Sequence, residues 1–84
     1  MTHIIPDDVL AAHLEGEAVL LDLKTKQYYQ LNATAAVIWT SLEQALELPQ
    51  IVDALVQEFA VDAATARAEM DRTIADLRAR GLVV

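Results

Sequence analysis

The chain has 84 residues, 55% of them hydrophobic, with two Gly, two Pro and no Cys: one small domain whose thin core no disulfide can reinforce. Its net charge of −7, from 6 bases and 13 acids, is repelled by phosphate backbones and anionic membranes, which argues against nucleic acid or a membrane as a charge-held partner. No apolar run reaches the length of a membrane span and the N-terminus lacks a basic region followed by a long apolar one, so a cytoplasmic protein is expected.

Met1–Asp7 reads as a poorly ordered start with Pro6 as a breaker. Asp8–Leu14 admits two readings: a short helix over Val9, Leu10 and Leu14 capped by Asp7 or Asp8, or a strand that turns at Glu15-Gly16 into the next. The hairpin is preferred, because Glu17–Leu23 is clearly a strand and needs a neighbour. Within it, Val19–Leu23 is apolar on both faces except at Asp22, as in a central strand covered on both sides. Lys24-Thr25-Lys26 turns the chain, and Gln27–Leu31 forms a third short strand rich in aromatics.

Asn32 suits an N-cap, since its side chain can accept from the free amides of the following turn. Helix one is expected from about Ala33 to Ala45, with Ala35, Ile38, Trp39, Leu42 and Leu46 on one stripe. Pro49 fits the first turn of helix two, whose buried face is Ile51, Val52, Leu55, Val56 and Phe59. Asp62 caps helix three, which runs to Arg80 with Gly81 as a left-handed stop and Ala66, Met70, Ile74 and Leu77 as its apolar line. Leu82-Val83-Val84 is expected to pack back on the body. Three antiparallel strands followed by three helices make an α+β arrangement of the winged-helix kind.

No catalytic constellation is present in this order of residues. His3 and His13, with Asp7 or Asp8, lack the second Cys/His pair of a metal site, so neither a metal nor a cofactor is expected. Ser41 has neither a nearby His nor a Gly-rich elbow. On helix three, Arg67 to Asp71, Arg72 to Asp76 and Asp76 to Arg80 are at i,i+4 spacing, the mark of a salt-laced exposed face rather than an ion site. All four Arg lie there, but four acids share residues 61–84 with them, so a groove-reading DNA helix is disfavoured. Trp39 falls on the core stripe. Tyr28 and Tyr29 alternate across a strand, one facing in and one facing out.

The segment from Leu20 to Asn32 (LLDLKTKQYYQLN), then Ile38-Trp39, then Leu77 through Gly81-Leu82-Val83, resembles the PqqD-like family over about residues 8–84. These small domains are also called precursor peptide recognition elements of ribosomally synthesised, modified peptides. The chain is most similar to the stand-alone B1-type proteins of lasso peptide biosynthesis. The resemblance implies a winged-helix-like domain that does no chemistry. It would bind a precursor's leader peptide as a strand beside the third strand, against helix three, and present the precursor to a leader peptidase or modifying enzyme. On this chain the leader would pair with Gln27, Tyr28, Tyr29, Gln30 and Leu31. The helical wall is expected from Arg67, Asp71, Ile74 and Arg78, which fall at i, i+4, i+7 and i+11, with Ile74 supplying an apolar pocket. One departure stands out: the family's turn usually has Gly where this chain has Lys26, which puts the turn geometry in question. A chaperone of the quinone-cofactor (PQQ) pathway, a winged-helix DNA-binding regulator and a structural subunit are the alternative readings.

Overall fold

The segment before Glu15-Gly16 is a strand. In a computed structural model that describes residues 5–84, β1 (Val9–Leu14), β2 (Glu17–Asp22) and β3 (Gln27–Leu31) form an antiparallel sheet in the order β1-β2-β3. Helices α1 (Ala33–Glu43), α2 (Leu48–Phe59) and α3 (Ala63–Ala79) follow. His3 and the first four residues of the expected disordered start lie outside the described residues. Gly16 takes φ +75 in the first turn, where a side chain would be strained. The second turn does carry such a side chain, since Lys26 sits at φ 62. The Asp22 carboxylate steadies it by accepting from Lys24 N at 2.9 Å, and Lys26 N donates to Asp22 O at 2.7 Å.

The sheet is covered on one face only. Ala18 and Leu20 of β2 are fully buried, while Val19 and Leu21, which point the other way, are only half-buried. The expectation that β2 is covered on both sides therefore fails. Helix α1 packs on the sheet against β2 and β3, and α2 and α3 pack on α1 and on each other; no element covers the other face among the described residues.

Each helix starts and stops on local chemistry. Asn32 Oδ1 accepts from Ala35 N at 2.9 Å to open α1. The helix stops at Glu43, two residues short of the expected end. Ala45 turns left-handed at φ 58, with Ala45 N donating to Leu42 O and Leu46 N to Ser41 O, both at 3.0 Å. Pro49 lies in the first turn of α2, and Ala60 ends that helix at φ 54. Asp62 Oδ1 caps α3 by accepting from Thr65 N at 2.7 Å. At its other end Gly81, at φ +75, donates to Arg78 O, and Leu82 N to Leu77 O at 2.9 Å. That reversal drives Leu82 and Val83 into the core beside Leu20, Ile38, Trp39, Ile51, Leu55 and Met70. Burial of each aliphatic member contributes about 1.5–3 kcal/mol relative to exposure. The Trp39 indole N–H meets no acceptor among the described residues, and the side chain is fully buried in the core.

Candidate functional site

The hydrogen-bond alternation of the sheet decides which backbone groups lie open. Leu23 N donates to Asp8 O at 2.8 Å, so in β2 the groups of Leu23, Leu21, Val19 and Glu17 aim at β1. Those of Asp22, Leu20 and Ala18 then aim at β3, where their partners are Gln27, Tyr29 and Leu31. The N–H and C=O of Tyr28 and Gln30 consequently point away from β2, along a strand that pairs with no other described strand. An unpaired edge of this kind is a template for a further strand.

The side chains alternate the other way. Tyr29 and Leu31 turn toward the helices, Leu31 into the core and Tyr29 against it, whereas Tyr28 is 72% exposed on the outer face. Tyr29 is thus the aromatic of the pair that faces the groove. Its hydroxyl donates to Gln27 Oε1 at 2.7 Å, and the Arg80 guanidinium stands 5.3 Å from its ring centroid. Arg80 Nε lies 3.2 Å from both carboxylate oxygens of Asp76. One turn back, Arg72 pairs with Glu69.

Between β3 and this flank of α3 run two adjoining depressions. One, of about 290 Å³, lies among Tyr28, Tyr29, Asp76, Arg80 and Leu82. The other, of about 180 Å³, lies among Asn32, Ala35, Glu69, Arg72 and Thr73. Both share Gln30, Leu31, Asp76 and Leu77, so they form one groove along the open edge. Its charges balance, two acids against two arginines. Exposed pairs of this sort are worth only about 0.2–1 kcal/mol each, so a ligand can reorganise them. The groove offers backbone donors and acceptors on one wall, ionic groups on the other and an apolar floor, which suits an extended peptide.

The expected helical wall is not where the groove is. Asp71, Ile74 and Arg78 line a separate depression with Leu48 and Ala75, away from β3, and Arg67 lines neither. Ile74 belongs to the core, at 6% exposure. At about 100° per residue, the two stripes flank the buried line of α3 on opposite sides. Periodicity locates that line but not which flank the sheet lies beside. The α3 residues that line the groove beside β3, besides Leu77, are Glu69, Arg72, Thr73, Asp76 and Arg80. Their sequence signal was the Arg80-Gly81 stop, because the reversal that buries Leu82 carries the last turn of α3 to β3. Arg72 also pairs with Glu69 rather than Asp76, whose carboxylate serves Arg80.

A larger depression of about 320 Å³ lies between the β1–β2 turn, α1 and Phe59. Ser41 beside it is committed to its own helix, Oγ donating to Val37 O at 2.8 Å. His13 reaches Glu43 at 3.0 Å, and no three His, Cys, Asp or Glu among the described residues group to hold a metal. No described helix is long and apolar enough to cross a membrane.

Comparison with known proteins meets this geometry. A structure described as TbiB1 in complex with the TbiA(beta) leader peptide is 35% identical, with a TM-score of 0.88 over 95% of this chain and 93% of that one. A lasso peptide synthetase B1 complexed with the leader peptide superposes with a TM-score of 0.90 over 100% of this chain and 99% of that one, at 24% identity, a likeness of fold alone. No curated protein sequence matches. Residues 17–83 match the family described as coenzyme PQQ synthesis protein D (PqqD), from the second strand to the buried C-terminal turn, and the chain belongs to that family.

Proposed function

We propose that this chain binds the leader peptide of a ribosomally made precursor, of lasso peptide type, as a fourth strand on β3. The open backbone groups of Tyr28 and Gln30 beside the α3 flank carry this reading. Backbone pairing along Gln27–Leu31 supplies affinity at little cost in specificity, and the groove floor at Leu31 and Leu77 takes an apolar leader side chain. Asp76 and Arg80 hold its polar neighbours. The leader complex of the 35%-identical protein supports the same ligand class here. The chain does no chemistry itself in this reading. It holds the precursor for the leader peptidase or modifying enzyme of its pathway. The acidic balance of −7 weighs against the DNA-regulator alternative.

Calorimetric titration with the leader of the cognate precursor tests the proposal. It predicts saturable one-to-one binding, and a precursor mass that stays unchanged after incubation with the chain alone. Absent leader binding, or cleavage by the isolated chain, contradicts it.

A further inference from the structure

The groove beside β3 does not stop at the end of that strand. Its second depression meets a third, of about 50 Å³, at Glu69, and the third meets the 320 Å³ depression under the β1–β2 turn at Phe59. Thr34, Val61 and Thr65 lie along the third, so the path crosses the first turn of α1 beside the last residue of α2 and the first turn of α3. The sheet register sets the far hollow level with the end of β3. Leu31 pairs with Ala18, and the residue before it, Glu17, lines the hollow.

The chemistry of the path changes along its length. Beside β3 two acids face two arginines. Beyond Glu69 the charged lining is Glu17 and Glu58, with His13 held by Glu43 at 3.0 Å and no Lys or Arg among the described residues. Ala33, Ala36 and Val37 of α1 and Phe59 of α2 make the hollow between them apolar. An apolar hollow with an acidic rim fits an apolar side chain that has a positive charge next to it. A strand added antiparallel to β3, as both pairings of this sheet are, has its N-terminal end at Leu31. From there the hollow is two to three strand spacings away, roughly 10–14 Å. About four to six extended residues cover that path.

We infer that the part of the leader N-terminal to the paired strand crosses the first turn of α1 and seats an apolar side chain, flanked by a Lys, an Arg or the peptide's own α-amino group, in the hollow between the β1–β2 turn, α1 and Phe59. The inference rests on the proposed leader binding and deepens it. Continuity with the β3 groove favours the leader over a second copy or an unrelated protein, neither of which is already held at Leu31. Backbone pairing at a sheet edge accepts many sequences. A second contact on the same peptide acts at high effective concentration, and here it separates the pathway's own precursor from other extended chains.

The test uses the purified chain and three synthetic peptides. They are the full leader of the cognate precursor, a form cut from its N-terminus back to the residue that pairs with Leu31, and a form cut from its C-terminus back to the residue that pairs with Gln27. Cross-strand NOEs identify the pairing. Affinities are measured by calorimetry for wild type, Glu58→Lys and Thr40→Lys, two changes that line the hollow and stand clear of the β3 groove. The full leader should bind wild type about tenfold or more tighter than the N-terminally cut form, and this advantage should fall below about threefold in each variant. Unchanged affinity of that cut form shows that a variant is folded and its β3 edge intact. Equal affinities of the full and N-terminally cut leaders for wild type overturn the inference and leave strand addition standing. So does an advantage that persists in a variant still binding the cut form. A loss on cutting the C-terminus alone reverses the strand direction and overturns it, and a wild-type dimer in light scattering that either variant dissociates gives the hollow to a second copy. Failure of wild type to bind any of the three peptides removes the leader reading, and this inference with it.

Discussion

Three non-glycine residues, Lys26, Ala45 and Ala60, hold left-handed backbone at φ 62, 58 and 54. Relief of the left-handed strain, about 1–2 kcal/mol, outweighs the about 0.4–1 kcal/mol that glycine's freedom adds to the unfolded chain. Ala45→Gly and Lys26→Gly are each expected to raise stability by about 0.5–1 kcal/mol in urea denaturation, without altering the groove. Asp62 makes a second residue-level prediction. The Thr65 backbone N–H and then its hydroxyl hold the Asp62 carboxyl below its usual 3.8. Its folded pKa is therefore lower than its unfolded one, so its contribution is full above the unfolded value and is lost as pH falls through the folded value. Asp62→Ala should lower the melting temperature at pH 7, and the gap from wild type should narrow on acidification below the carboxylate range. A gap that is constant into acid would mean that the cap acts without its charge.

At the level of elements, strand and helix spans were legible because each is bounded by residues with one physical use: Gly16 at a left-handed turn, Asn32 and Asp62 as caps, Gly81 as a stop. The core line of α3 was legible too, since Ala66, Met70, Ile74 and Leu77 are all buried. Two things were not. Apolar Val19 and Leu21 look the same in a sheet covered on both faces and in one whose second face stays open. The flank of α3 beside β3 depends on how the chain closes in three dimensions, which a helical period does not encode. Two substitutions in β3 separate edge from ladder. Gln30→Pro removes an N–H that points away from β2, so leader binding should be lost while the circular dichroism spectrum is kept. Tyr29→Pro removes a ladder donor to β2 and should unfold the sheet. On α3, Arg80→Ala should weaken leader binding by on the order of 1 kcal/mol, whereas Asp71→Ala on the other flank leaves it unchanged.

For the molecule as a whole, function follows from what the fold leaves unfinished. Three helices complete one face of a three-stranded sheet; the β3 edge and the second face stay open, and the first is framed by a groove of balanced charge. A protein of net charge −7 with such a groove should show a leader affinity that changes little between low and moderate salt, unlike the steep loss expected of a DNA binder. The most direct test of leader addition at β3 is a two-dimensional ¹⁵N–¹H NMR titration with hydrogen exchange of the backbone amides. The Tyr28 and Gln30 amides, exchanging freely in the unbound chain, should shift and become protected as leader saturates, together with shifts at Asp76 and Arg80. Unchanged exchange at Tyr28 and Gln30, with the shifts gathered instead around Leu48, Asp71 and Arg78, would contradict strand addition and place the peptide on the other flank of α3.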